Sequence, residues 1–111
     1  MKARLKYKDK EVIIEDIRKV SAFGKFKGLM FTGKNASALL FEFKKGKAIH
    51  SFFCKPFLAI WLYRGKIIDF KIVKPFVPMI KPEQDFDQLI EVPLNEKYEP
   101  VIGFFLEHEK I

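Results

Sequence analysis

Residues 2 to 7 alternate without a break, with Ala3, Leu5 and Tyr7 on one side and Lys2, Arg4 and Lys6 on the other. That period of two predicts a half-buried strand. Polar Lys8, Asp9 and Lys10 then make a hairpin turn into a second strand, Glu11 to Ile17, built on β-branched Val12, Ile13 and Ile14. Ser21 to Lys27 has no alternation and reads as a short helix or structured turn, with Ser21 as its cap and Gly28 as its stop. A polar loop, Thr32 to Ser37, leads into Ala38 to Phe43, which is apolar except for Glu42.

The middle of the chain is its most apolar part. Ile49 to Cys54 and Phe57 to Tyr63 both have strand length and are separated by Lys55 and Pro56. Arg64, Gly65 and Lys66 turn the second of them back into Ile67 to Val73, so Phe57 to Val73 predicts a hairpin. Alternation there sets Ile68, Phe70 and Ile72 opposite Ile67, Asp69, Lys71 and Val73. Pro75, Pro78 and Pro82 forbid regular structure and predict an extended loop, which continues as an acidic segment from Glu83 to Gln88. Leu89 to Leu94 returns to a strand pattern closed by Pro93, Asn95 opens a short turn through Tyr98, and Gly103 precedes a last short strand, Phe104 to Leu106.

These elements predict a mostly β, α+β fold in one domain, residues 1–111. Its form is a small curved antiparallel sheet or barrel of about seven short strands, with one or two short helices. Closure would remove exposed sheet edges, a hazard in a chain with thirteen Phe. No internal repeat or domain linker interrupts the pattern.

Composition supplies limits. With 49% apolar residues, the 111-residue chain has ample material for one core. Cys54 is the only cysteine, which excludes an internal disulfide and a zinc site of several thiolates and points to a reducing compartment. Met1 to Lys10 lacks the apolar stretch of a secretory signal, and no run approaches the ~20 apolar residues of a membrane span. The expected location is the cytoplasm, with no membrane partner. A Lys- and Glu-rich chain with only two Gln and two Asn also resembles proteins of heat-adapted organisms. The net charge of +7 is uneven: residues 1–56 hold 14 Lys/Arg against 5 Asp/Glu, and residues 57–111 hold 7 against 9. A basic half favours acidic partners, either nucleic acid or an acidic protein.

Few residues suggest chemistry. Cys54 and His50 have the types of a nucleophile and base, but four positions along a strand separate them by ~13 Å. Cys54 therefore reads as a small buried hydrophobe. His108, between Glu107 and Glu109, reads as part of a solvated tail. Glu83, Asp85 and Asp87 alternate as cation ligands can, yet lack the glycine turn and distal Glu of a calcium loop. Lys2, Arg4, Lys6, Lys8 and Lys10, joined by Lys25 and Lys27, form a cationic series that suits single-stranded RNA if Tyr7 or Phe26 offers a stacking ring. The plainer reading is a solubilising edge strand. Phe41, Phe43, Phe52, Phe53, Phe57, Trp61, Phe70 and Phe76 read mostly as core. Lys55, Trp61 and Phe76 outline a possible small-ligand cleft.

From Gly28, Leu29, Met30 and Phe31 onward the chain resembles the uncharacterised family called domain of unknown function 192. The Gly-Leu-Met stretch is followed by Ala38, Leu39, Leu40, Phe41, Glu42 and Phe43, which match the family's small residue, apolar pair and Phe-x-Phe. Phe52 and Phe53 match its aromatic pair, Leu58 to Ile68 its apolar hairpin, and Ile90, Glu91, Val92 and Pro93 its Leu-Glu-Leu-Pro strand. The similarity spans roughly residues 20 to 106 and rests on order and spacing. It implies a small, largely β fold and no known reaction or cofactor. A Lys-Asn pair after the aromatic residues and an Asp in the next strand are frequent in the family; Lys55 remains here, while Pro56 and Ala59 hold the other two places. An Arg commonly found after Gly-Leu-Met is absent, with Thr32 and Gly33 there instead.

The leading expectation is a non-enzymatic binding or interaction domain, monomeric or homodimeric, with no metal or cofactor. Two alternatives stay open: single-stranded RNA binding through the basic N-terminal face, and a small-ligand receptor or enzyme with its cleft near Lys55.

Overall fold

The computed structural model describes residues 1–20, 36–42, 56–74 and 84–109. Strand β1 (Ala3–Tyr7) and strand β2 (Lys10–Ile14) form an antiparallel ribbon joined by Lys8 and Asp9, whose φ angles of 49° and 65° are both positive. Such a two-residue turn twists with its strands, which makes the hairpin compact. Leu5, Val12 and Ile14 are buried on its inner side. The second strand stops at Ile14, short of the expected Ile17, because Asp16 takes φ 52° and redirects the chain. Aspartate tolerates that left-handed conformation better than most residues.

After this corner the chain enters a five-stranded sheet. It consists of β3 (Ile17–Val20), β4 (Ala38–Glu42), β5 (Phe57–Tyr63), β6 (Lys66–Val73) and β7 (Gln88–Pro93), in the spatial order β3, β4, β7, β5, β6. The fold is mostly β, with seven strands in two sheets among the described residues. Two details of the expectation are corrected. Among the described residues the sheets do not close into a barrel, and β3 runs parallel to β4.

Both faces of this sheet are apolar. Strand β5 is buried from Phe57 through Leu62, the continuous pattern of a strand covered on both sides. On one face, Ala38, Leu58, Ile60, Leu62, Ile90 and Val92 pack with Leu5, Val12 and Ile14 of the ribbon. On the other, Leu39, Phe41, Phe57, Ala59, Trp61, Val73 and Leu89 gather with Phe86.

The Phe57–Val73 hairpin forms as expected, around Arg64 (φ 51°) and Gly65 (φ 80°). Its face assignment needs correction. Trp61 pairs with Asp69 but Leu62 pairs with Ile67, so Ile68 is the extra residue of a bulge. The insertion reverses the alternation: Ile67 joins Phe70 and Ile72 on the ribbon side, and Ile68 joins the opposite cluster.

The C-terminal expectation fails as well. Residues Phe104 to Leu106 are not a strand but part of helix α1 (Glu99–Glu109), which follows a 3₁₀ turn at Glu96–Tyr98. Pro100 in the first turn loses no intrahelical hydrogen bond, and Val101 and Phe105, four apart, are buried against the ribbon-side core. Gly103 sits inside the helix with open space where a Cβ would project. Tyr98 ties the region together: its hydroxyl accepts the Ala38 N–H at 2.8 Å and lies 2.9 Å from the carbonyl oxygens of both Glu15 and Asp16. Asp16 also accepts from Ser37 (2.7 Å) and pairs with Lys97.

The expected turn at Ser21 to Lys27, the strand at Ile49 to Cys54 and the proline loop from Pro75 to Pro82 lie outside the described residues.

Candidate functional site

The alternation of Gln88–Pro93 sends Ile90 and Val92 toward the ribbon, and Leu89 and Glu91 toward the other face. Glu91 thus enters an apolar cluster, where it is 3% exposed. Cross-strand pairing puts it in one row with Arg18, Leu39, Ala59 and Lys71. Its immediate neighbours, Leu39 and Ala59, offer no polar atom on their side chains. Burial pushes the carboxyl up to about 8, so at neutral pH it holds its proton and is a hydrogen-bond donor as well as an acceptor.

Trp61 stands one row away, paired with Leu89 and therefore diagonal to Glu91, a relation of roughly 7 Å between strands. Its ring is fully buried and meets Phe86 edge-on at 6.4 Å between centroids. The Lys71 ammonium lies 5.8 Å from the same ring centroid. Glu91 Oε1 and Trp61 Nε1 are both buried without a hydrogen-bond partner among the described residues. Each such group costs about 1–3 kcal/mol when left unpaired, and two on one sheet face are a concentration that packing does not explain.

Of the expected cleft residues, Trp61 belongs to this face, whereas Lys55 and Phe76 lie outside the described residues. Glu91 was not expected as a site residue on chemical grounds. The signal was present: a single acid within the apolar run Leu89, Ile90, Val92 stands out once the strand is buried on both faces.

The cationic series divides. Lys2, Arg4 and Lys6 are exposed, with Arg4 and Lys6 on the outer face of the ribbon, where Arg4 Nε lies 3.5 Å from Glu11. Strand β1 ends at Tyr7, so Lys8 sits in the turn, and Lys10, directly opposite Tyr7, takes the inner side. The five cations therefore do not share one face. Tyr7, the expected stacking ring, is half-buried against Phe70 (5.4 Å) and His108 (5.5 Å). Lys25, Lys27 and Phe26 lie outside the described residues.

One further expectation changes. His108 is no solvated tail: it is half-buried, its Nδ1 is 2.7 Å from the Phe104 carbonyl oxygen, and its ring packs on Phe104 at 4.5 Å. Asp87 closes the β5–β6 turn by accepting from the Arg64 N–H at 3.2 Å, while Asp85 is exposed and Glu83 lies outside the described residues. His50 and Cys54 also lie outside them. Among the described residues, no three His, Cys, Asp or Glu side chains gather as metal ligands, and no helix is long and apolar enough to cross a membrane. Compared with known proteins, the chain matches no family model, no curated protein and no solved structure.

Proposed function

We propose that this chain is a small-ligand binding domain, related to domain of unknown function 192, whose site is the sheet face that carries Glu91 and Trp61. One observation carries the reading: a buried carboxyl and a buried indole N–H, neither with a partner among the described residues, lie diagonally across β5 and β7. Groups that cost stability when unpaired are sustained where a ligand completes their hydrogen bonds. The resemblance adds to this. Ala59, at the place where the family often has an Asp, is the direct cross-strand neighbour of Glu91, so the family's polar position and the orphaned carboxyl share one spot on the sheet.

The reading is one of binding: a donor carboxyl and an indole N–H can orient a ligand by hydrogen bonds. Two-dimensional amide NMR of the intact chain, titrated with a library of small polar and apolar molecules, tests it. Saturable shifts at Ala59, Glu91 and the Trp61 indole N–H are expected for at least one compound. A library that leaves all three signals in place overturns the proposal.

A further inference from the structure

We infer that the Glu91–Trp61 face binds an uncharged, largely apolar molecule through one carbonyl oxygen, of the amide, ketone or ester class. The oxygen accepts one hydrogen bond from the Trp61 indole N–H and a second from the Glu91 carboxyl. This inference rests on the binding-domain reading above and names the chemistry of its ligand.

Three observations select that chemistry. The indole N–H can only donate, so the ligand must bring an acceptor. A cationic ligand satisfies Glu91 alone and leaves Trp61 unpaired, on a face whose row already ends in the exposed cations Arg18 and Lys71. An anion has acceptors enough, but it must surrender its hydration among Leu39, Phe41, Phe57, Ala59 and Leu89, and burying a full charge costs far more than burying a dipole. A carbonyl oxygen has two lone pairs, one for each donor, and its apolar substituents match the side chains that surround them. Glu91 meets this need because it keeps its proton at neutral pH.

Hexanamide, hexylammonium and hexanoate share one apolar tail and differ only in the head group, and all three can be titrated by NMR and calorimetry at pH 6.5. Hexanamide is expected to bind about tenfold more tightly than either ion, one hydrogen bond's worth of discrimination. Glu91→Gln, which keeps a donor, is expected to retain the affinity within about threefold, while Glu91→Leu and Trp61→Phe each lose about tenfold. Amide spectra of each variant establish that it is folded, and Glu91→Gln and Glu91→Leu decide the matter if Trp61→Phe is not. Tighter binding of hexylammonium or hexanoate overturns the ligand class and leaves the binding-domain reading standing. If none of the three shifts Ala59, Glu91 or the indole N–H, the ligand class falls, and the wider library then decides the binding-domain reading separately.

Discussion

Replacing Glu91 by Gln should stabilise the protein, by an amount that grows with pH. The carboxyl is raised from 4.5 to about 8 by burial, so the folded chain keeps a proton that the unfolded chain releases. Because the folded value lies above the unfolded one, the wild-type chain has its full stability below about pH 4.5 and loses it as pH rises toward 8. At pH 7, about 2.5 pH units above the ordinary value of 4.5, the penalty is about 3 kcal/mol at ~1.4 kcal/mol per unit. It levels off near 5 kcal/mol, on the order of the whole stability of a small domain, once the folded carboxyl also ionises. Glutamine carries no such penalty, and any pH-independent cost of its amide shifts the difference without tilting it. Urea denaturation of both proteins at pH 5, 7 and 8.5, followed by fluorescence of the single tryptophan, Trp61, measures this directly. The advantage of Glu91→Gln should be about 4 kcal/mol larger at pH 8.5 than at pH 5. A difference that stays constant across that range would refute a buried, neutral Glu91.

Three other outcomes follow from the geometry. Tyr98→Phe removes the acceptor of the Ala38 N–H and should cost about 1–3 kcal/mol in chemical denaturation, with the β3–β4 amides losing protection from hydrogen exchange first. Changing Lys8→Asn together with Asp9→Gly installs the residues best suited to two successive positive φ angles, and should stabilise by about 1 kcal/mol as read by urea midpoint. Labelled single-stranded RNA should show no saturable binding at low salt, because Arg4 faces Glu11, Lys10 points away from Lys6, and the Tyr7 ring is packed; an affinity that falls steeply with rising salt would contradict this.

The strands that pattern identified were those marked by alternation or by an apolar run with a turn or proline at its end. Alternation through Lys2 to Tyr7 and the Arg64–Gly65 turn are local facts, and they led to β1, β5 and β6. What pattern missed depends on partners far along the chain. Phe104 to Leu106 is apolar at strand length, and only the helical pairing of Val101 with Phe105 against the ribbon-side core separates it from a strand. The bulge at Ile68 reverses two isoleucines without any glycine or proline to announce it. Glu91 is only one position of the expected strand Leu89 to Leu94 in the sequence, and becomes a candidate site residue once β4 and β5 lie on both sides of it. Trp61 is legible in the sequence as one of an aromatic set and of a possible cleft, but that its N–H has no partner among the described residues is a property of the assembled sheet.

The position of β7 sets the order in which this protein can be assembled. Among the described residues it is the last strand in the chain and the middle strand in space, between β4 and β5. During synthesis, β4 and the β5–β6 hairpin therefore leave the ribosome before the strand that joins them in the native sheet. The Tyr98 hydroxyl, bonded across 60 residues to Ala38, fastens the parallel pair only after β7 has gone in. Folding of the large sheet is thus a late event, and a chain cut before Gln88 would present the apolar edge of β5 to other copies of itself.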